Sequence, residues 1–209
     1  MKITVIGTGN MGSAFAKQLS SAGHSVRITG RDIEKAHVLA AQFANVSAFP
    51  AAEALGDSDV VVLATAYTDA AAALQSLGDL TGKVVIDITN PLSADYMSLT
   101  IGHVTSASEE IAKAVPQAHV VKAFNTLFAQ VLADGPTFSD DQRGSVFVAS
   151  DSERAKQTAT ALAQSLGWNT VNAGGLINAR YLEPLAGLNI YLGYGAGLGT
   201  SIAPAWLNK

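Results

Sequence analysis

Near the start of the chain, Gly7-Thr8-Gly9-Asn10-Met11-Gly12 combines residue types and spacing that serve one kind of chemistry. In a loop of this form the first glycine permits a tight turn and the second lets the backbone approach phosphates. The third lets the following helix pack on the preceding strand. The backbone N–H groups at the start of that helix then face an anion. Here the loop follows the apolar run Lys2-Ile3-Thr4-Val5-Ile6 and opens an Ala-containing stretch from Asn10 to Ala22. That is the strand-turn-helix setting that a dinucleotide pyrophosphate requires.

The end of the second strand decides which dinucleotide. An NAD site places an acidic residue about 20 residues past the loop, where it accepts the ribose hydroxyls. Thr29-Gly30-Arg31 stands there instead, and Lys35 follows one helical turn later. A guanidinium and an ammonium so placed can clasp a 2′-phosphate, which favours NADP. The alternative is an ordinary solvated helix start, with Asp32 or Glu34 taking the ribose. In an open α/β sheet, ligands lie across the carboxyl ends of the strands. Thr65-Ala66-Tyr67 and Thr89-Asn90-Pro91 are therefore candidates for holding the rest of the cofactor, against the plainer reading of Asn90-Pro91 as a turn.

Acid–base machinery is sparse. No Tyr is followed four residues later by Lys, and His24, His37, His103 and His119 are scattered without metal-ligand spacing. The chain has no cysteine, which excludes disulfides, thiolate catalysis and cysteine-ligated metals. No catalytic or metal-binding residue is assigned. Tyr67, Tyr181, Tyr191, Tyr194 and Glu183 remain as proton donors that no spacing singles out. Hydride transfer between two stacked rings needs alignment and exclusion of water more than a protein acid, so a flavin-like acceptor fits this inventory. The other reading is an NADP-sensing regulatory protein that binds without turnover.

The elements that must position these residues follow from short Val- and Ile-rich runs alternating with longer Ala-rich stretches, the pattern of a parallel sheet buried on both faces. Strands are expected at 2–6, 25–29, 46–48, 59–64, 84–88, 120–124, 145–149 and 169–172. Helices are expected at 10–22, 32–44 with Asp32 as cap, briefly after Pro50, and at 68–77, 106–114 and 151–166. The long connection 90–104 reads as irregular, and 134–143 reads as a surface loop. The fold class is α/β, a Rossmann-type doubly wound, mostly parallel sheet with a short C-terminal extension. It forms one NADP-binding domain over 1–209, in which 176–209 is a helical, glycine-rich extension.

Composition bounds the partners. The 209 residues are 48% hydrophobic and 14% charged, with a mean hydropathy of +0.25, which leaves apolar surface for a second copy and favours a homodimer. A net charge of -4 without a Lys/Arg run argues against nucleic acid and for a small-molecule redox acceptor. The N-terminus lacks the length and cleavage site of a signal peptide, so a cytoplasmic location is expected. The charge-free run 184–208 is too rich in Gly, Asn and Pro for a membrane helix, and no membrane partner is expected.

The glycine loop and Thr29-Gly30-Arg31 occur together with Val121-Lys122-Ala123-Phe124-Asn125-Thr126, Asn172-Ala173-Gly174-Gly175-Leu176 and Ala179-Arg180-Tyr181-Leu182-Glu183. Through these segments nearly the whole chain resembles the NADPH-dependent F420 reductases, and it is similar to the reductase domain of the STEAP metalloreductases. The resemblance implies Thr8, Gly9, Asn10 and Met11 at the NADPH phosphates, and Gly30, Arg31 and Lys35 as the 2′-phosphate pocket. It also implies Asn125, Thr126, Gly175 and Leu176 near the nicotinamide and the acceptor ring. The activity implied is hydride transfer between NADP and coenzyme F420 or a flavin, in a pocket completed by the C-terminal segment and a partner subunit.

Overall fold

A computed structural model describes residues 1–207; positions 208 and 209, the end of the expected extension, lie outside the described residues. Six parallel strands form the main sheet: β1 (Lys2–Ile6), β2 (Ser25–Thr29), β3 (Val46–Ala48), β4 (Val60–Leu63), β5 (Val84–Asp87) and β6 (His119–Lys122). Their order is β3-β2-β1-β4-β5-β6. Helices α1 (Asn10–Ser21), α2 (Ile33–Ala40), α3 (Ala51–Ala54), α4 (Ala70–Gln75) and α5 (Ala107–Ala114) make the crossovers. After β6 come α6 (Ala129–Asp134), β7 (Ser145–Val148), α7 (Glu153–Ser165), β8 (Asn169–Asn172) and α8 (Ala179–Ile190).

Alternation along β4 shows how the sheet buries both faces. Val60 and Val62 enter one core with Phe15, Leu19 and Leu162, while Val61 and Leu63 enter the other with Leu74, Leu80 and Ile111. Successive side chains point to opposite faces, so a strand covered on both sides must be apolar throughout. Helix starts are fixed by side chains. Asp32 accepts from the N–H groups of Glu34 and Lys35 at α2, and Ser106 accepts from Glu109 at α5.

Three expectations need correction. Helix α2 ends at Ala40 rather than 44, because Gln42 and Phe43 already bond as turns to Leu39 and Ala40. A short helix, α6, occupies 129–134, where no element is expected. Strands β7 and β8 pair in parallel with each other as a separate two-stranded sheet. They meet the main sheet at a single antiparallel bridge, Lys122 to Ala149. The C-terminal tail takes the other side of β7, where Ser145 N–H donates to the Pro204 carbonyl. Beyond α8 the chain makes a wide π-type turn at Tyr191–Gly195. Among the described residues no helix is long and apolar enough to cross a membrane.

Candidate functional site

The carboxyl ends of β1, β2 and β4 enclose a cleft of about 720 Å³. Its floor is the glycine loop. Gly7 has a φ of +128° and donates its N–H to the Thr29 carbonyl at 2.8 Å; a Cβ there would run into the Ala64 carbonyl. A Cβ on Gly12 would run into the carbonyl of Gly7, so its absence lets α1 settle against the loop. Gly9 differs from both, because the space its Cβ would take is open. It precedes α1, and no side chain caps that helix. The first-turn N–H groups are left for an anion.

Across the loop, Gly30 lies against the Thr8 side chain, and the buried Thr29 Oγ1 has no hydrogen-bond partner. Arg31 and Lys35 reach the mouth with side chains 90% and 74% exposed. Asp32, also in the lining, gives its Oδ1 to two backbone N–H groups and has its Oδ2 3.8 Å from Lys35 Nζ. The cleft thus brings together Gly7, Thr8, Gly9, Thr29, Gly30, Arg31, Lys35, Thr65 and Ala66. Asn10 faces a neighbouring groove beside α6, Met11 packs on the core, and Gly12 is buried. Tyr67 lies outside the lining, half-buried. Burial, with Glu110, Glu183 and Asp87 nearby, pushes its phenol above the ordinary tyrosine range and keeps it protonated.

Further along the same edge, Asn90 and Asn125 follow β5 and β6 and lock together. Asn90 Nδ2 donates to the Asn125 carbonyl at 2.9 Å, and Asn125 Nδ2 donates to Asn90 Oδ1 at 3.0 Å and to the Leu182 carbonyl at 2.9 Å. Phe124 turns the chain into this position with a φ of +60°, uncommon for a bulky residue and held by burial against Phe15, ring centroids 5.2 Å apart. Asn125 Oδ1 is left buried without a partner, as is Thr89 Oγ1. Pro91 is buried.

The remaining expected positions do not line the cleft. Thr126 is 2% exposed and its carbonyl accepts from Asn189. Leu176 packs in the core with Ile111 and Val120 and donates its N–H to Asp151; a Cβ on Gly175 beside it would crowd that carboxylate. Glu183 is 1% exposed, so it does not serve as a proton donor to the cleft. Tyr181, Tyr191 and Tyr194 are exposed on the C-terminal segment.

Glu183 belongs to a buried ionic cluster that sequence reasoning misses. Lys122 Nζ lies 2.8 Å from Asp87 and 3.0 Å from Glu183, and donates to the Thr89 carbonyl at 2.6 Å. Asp87 also accepts from Thr89 N–H and Ser108 Oγ–H, and Glu183 accepts from the N–H groups of Ala107 and Ser108 at the start of α5. All three ammonium protons have acceptors, and one cation plus a helix N-terminus faces two carboxylates. The cluster holds the Thr89-Asn90 turn, α5 and α8 in fixed relation. Its signal in the sequence is a charged residue closing each of two apolar strands, Val-Val-Ile-Asp and His-Val-Val-Lys, which the register pairs. Asp69, a lining residue absent from the expected set, carries no such signal.

Residues 2–91 match the family described as NADP oxidoreductase, coenzyme F420-dependent. A solved structure from Arthrobacter sp. FB24, assigned as an F420-dependent NADP-reductase, is 30% identical with a TM-score of 0.89, covering 100% of both chains. The chain belongs to the F420-dependent NADP oxidoreductase family. Members of this family are NADP-dependent oxidoreductases, and the glycine loop, β1 to β5 and Arg31 all fall inside the matched segment. Metalloreductase STEAP3 of Rattus norvegicus is 29% identical over 185 residues, 88% of this chain. The chain spans 36% of that protein's length. An imine reductase from Pseudomonas sp. shares the fold at 22% identity and a TM-score of 0.66, covering 94% of this chain and 63% of that one.

Proposed function

We propose that the chain binds NADPH in the cleft and exchanges hydride between NADP and a deazaflavin, flavin or related planar acceptor. One observation carries the reading: an open, glycine-walled seat at the start of α1 opposite two basic side chains, where an NAD site would hold an acid. Gly7, Thr8 and Gly9 would hold the pyrophosphate, and Arg31 with Lys35 the 2′-phosphate. Bound there, NADPH supplies the hydride. Asn90, half-buried just after β5, would lie towards its nicotinamide half. Asn90 and the Lys122 cluster fix the orientation of Asn125.

The acceptor class is supported by the Arthrobacter protein's assignment. The reading extends to a homodimer. Tyr181 and Leu188 on α8, with Ile177 just before it and Tyr191 just after it, are each more than half exposed, an apolar stripe suited to a second copy and to completing the acceptor pocket. A cytoplasmic location accords with use of the soluble nicotinamide pool.

Loss of NADPH absorbance with F420, FMN, FAD, quinones and ferric chelates tests the reading. The expected result is turnover with F420 or a flavin. Binding of NADPH with turnover on none of them would contradict it.

A further inference from the structure

Opposite Arg31, the cleft carries a carboxylate to which the NADPH reading gives no task. Asp69 lines the same cavity, and its Oδ2 lies 3.4 Å from Arg31 Nη1. The two side chains come from different walls. Arg31 follows β2 and Asp69 follows β4, with β1 between them in the sheet. Asp69 closes the short 3-10 turn Tyr67–Asp69 that runs into α4, and its side chain makes no bond to the first turn of that helix. It reaches across the mouth of the cleft instead. Asp32, the neighbouring acid, is committed to the cap of α2 and lies 3.8 Å from Lys35. Among the described residues, Asp69 pairs with Arg31.

We propose that Asp69 sets cofactor specificity by competing with the 2′-phosphate for Arg31. The inference rests on the assignment of Arg31 to that phosphate. A guanidinium can pair with either a carboxylate or a phosphate in a forked geometry. In the free protein it rests on Asp69. Binding NADPH moves it to the phosphate and breaks that contact, whereas NADH has no phosphate and leaves the pair in place. The cost of breaking the pair therefore falls on NADPH alone, and Asp69 holds NADPH affinity below what Arg31 would otherwise provide. It also gives the guanidinium a partner as NADP departs, which favours release. Side chains 90% and 42% exposed make this a solvent-screened pair, so removing the carboxylate should tighten NADPH by about two- to five-fold.

The test is a titration of NADPH and NADH, read by nicotinamide fluorescence, into the wild-type protein, Asp69→Asn, Arg31→Ala and the double variant. The expected result is tighter NADPH and unchanged NADH for Asp69→Asn, with no further gain when Arg31 is already absent. Unchanged or weaker NADPH binding in Asp69→Asn would overturn the proposal, as would equal gains for both cofactors. A gain that persists without Arg31 would also overturn it, because Asp69 would then act on the phosphate directly. Equal losses of NADPH and NADH in Arg31→Ala would instead remove the assignment of Arg31, and the proposal with it.

Discussion

At the scale of single residues, the three glycines of the loop do different work, and substitution can separate them. Gly9 faces open space where the phosphates would sit, so an added methyl meets no protein atom. Gly9→Ala should leave the melting temperature unchanged while weakening NADPH about ten-fold or more, because the methyl takes the place of a close backbone–phosphate approach. Gly7→Ala combines a left-handed φ with a clash on Ala64 and should cost about 1–3 kcal/mol of stability. Thermal melts and cofactor titrations of the pair check this; a Gly9→Ala protein that loses stability and affinity together would show that the seat is structural. The glycines, Arg31 and Lys35 are legible in the sequence because their chemistry is local, a matter of type and spacing. Asp69 and the Asp87–Lys122–Glu183 cluster are not, because register and helix docking bring them together from positions tens of residues apart. Thr126 and Leu176 illustrate the converse: their place near the site comes with the family resemblance, while burial gives them packing roles.

At the scale of elements, the strands of the main sheet are legible because each is a short apolar run buried on both faces. Helix α6 is not, since its six residues bury only Val131 and Leu132 and are too short to show a helical period. The departure of β7 and β8 from the main sheet is equally hidden: Ser145–Val148 reads as a buried strand whichever neighbour it pairs with. How α8 is held shows in its ties to α5. Arg180 donates to Glu109 at 2.7 and 2.9 Å, and that bond holds the Glu109 carboxyl below the usual glutamate range. A carboxyl lowered on folding stabilises the fold above its unfolded pKa of about 4.3, and the contribution is lost as pH falls through the lower folded value. Arg180→Gln should therefore be less stable than the wild-type protein at neutral pH, with the gap closing in acid below the glutamate range. Urea melts over a pH series read this directly. A gap that stays constant into acid would mean that Arg180 acts by packing alone.

At the scale of the whole molecule, the sheet order reverses between β1 and β4, and the cleft opens at that reversal, where open α/β sheets place their ligands. The first half of the chain supplies the seat for the dinucleotide. The second half supplies Asn125, the exposed stripe at α8, and Lys122 and Glu183, which meet Asp87 of β5 in the buried cluster. The proposed function depends on the cofactor lying in the cleft with its 2′-phosphate on Arg31. Calorimetric titration of NADPH and NADH into the wild-type protein and Arg31→Asp measures that most directly. The wild-type protein should prefer NADPH by about ten-fold or more, and Arg31→Asp should lose most of that preference while NADH binding changes little. Equal affinity for the two cofactors in the wild-type protein, or equal losses for both in the variant, would contradict it.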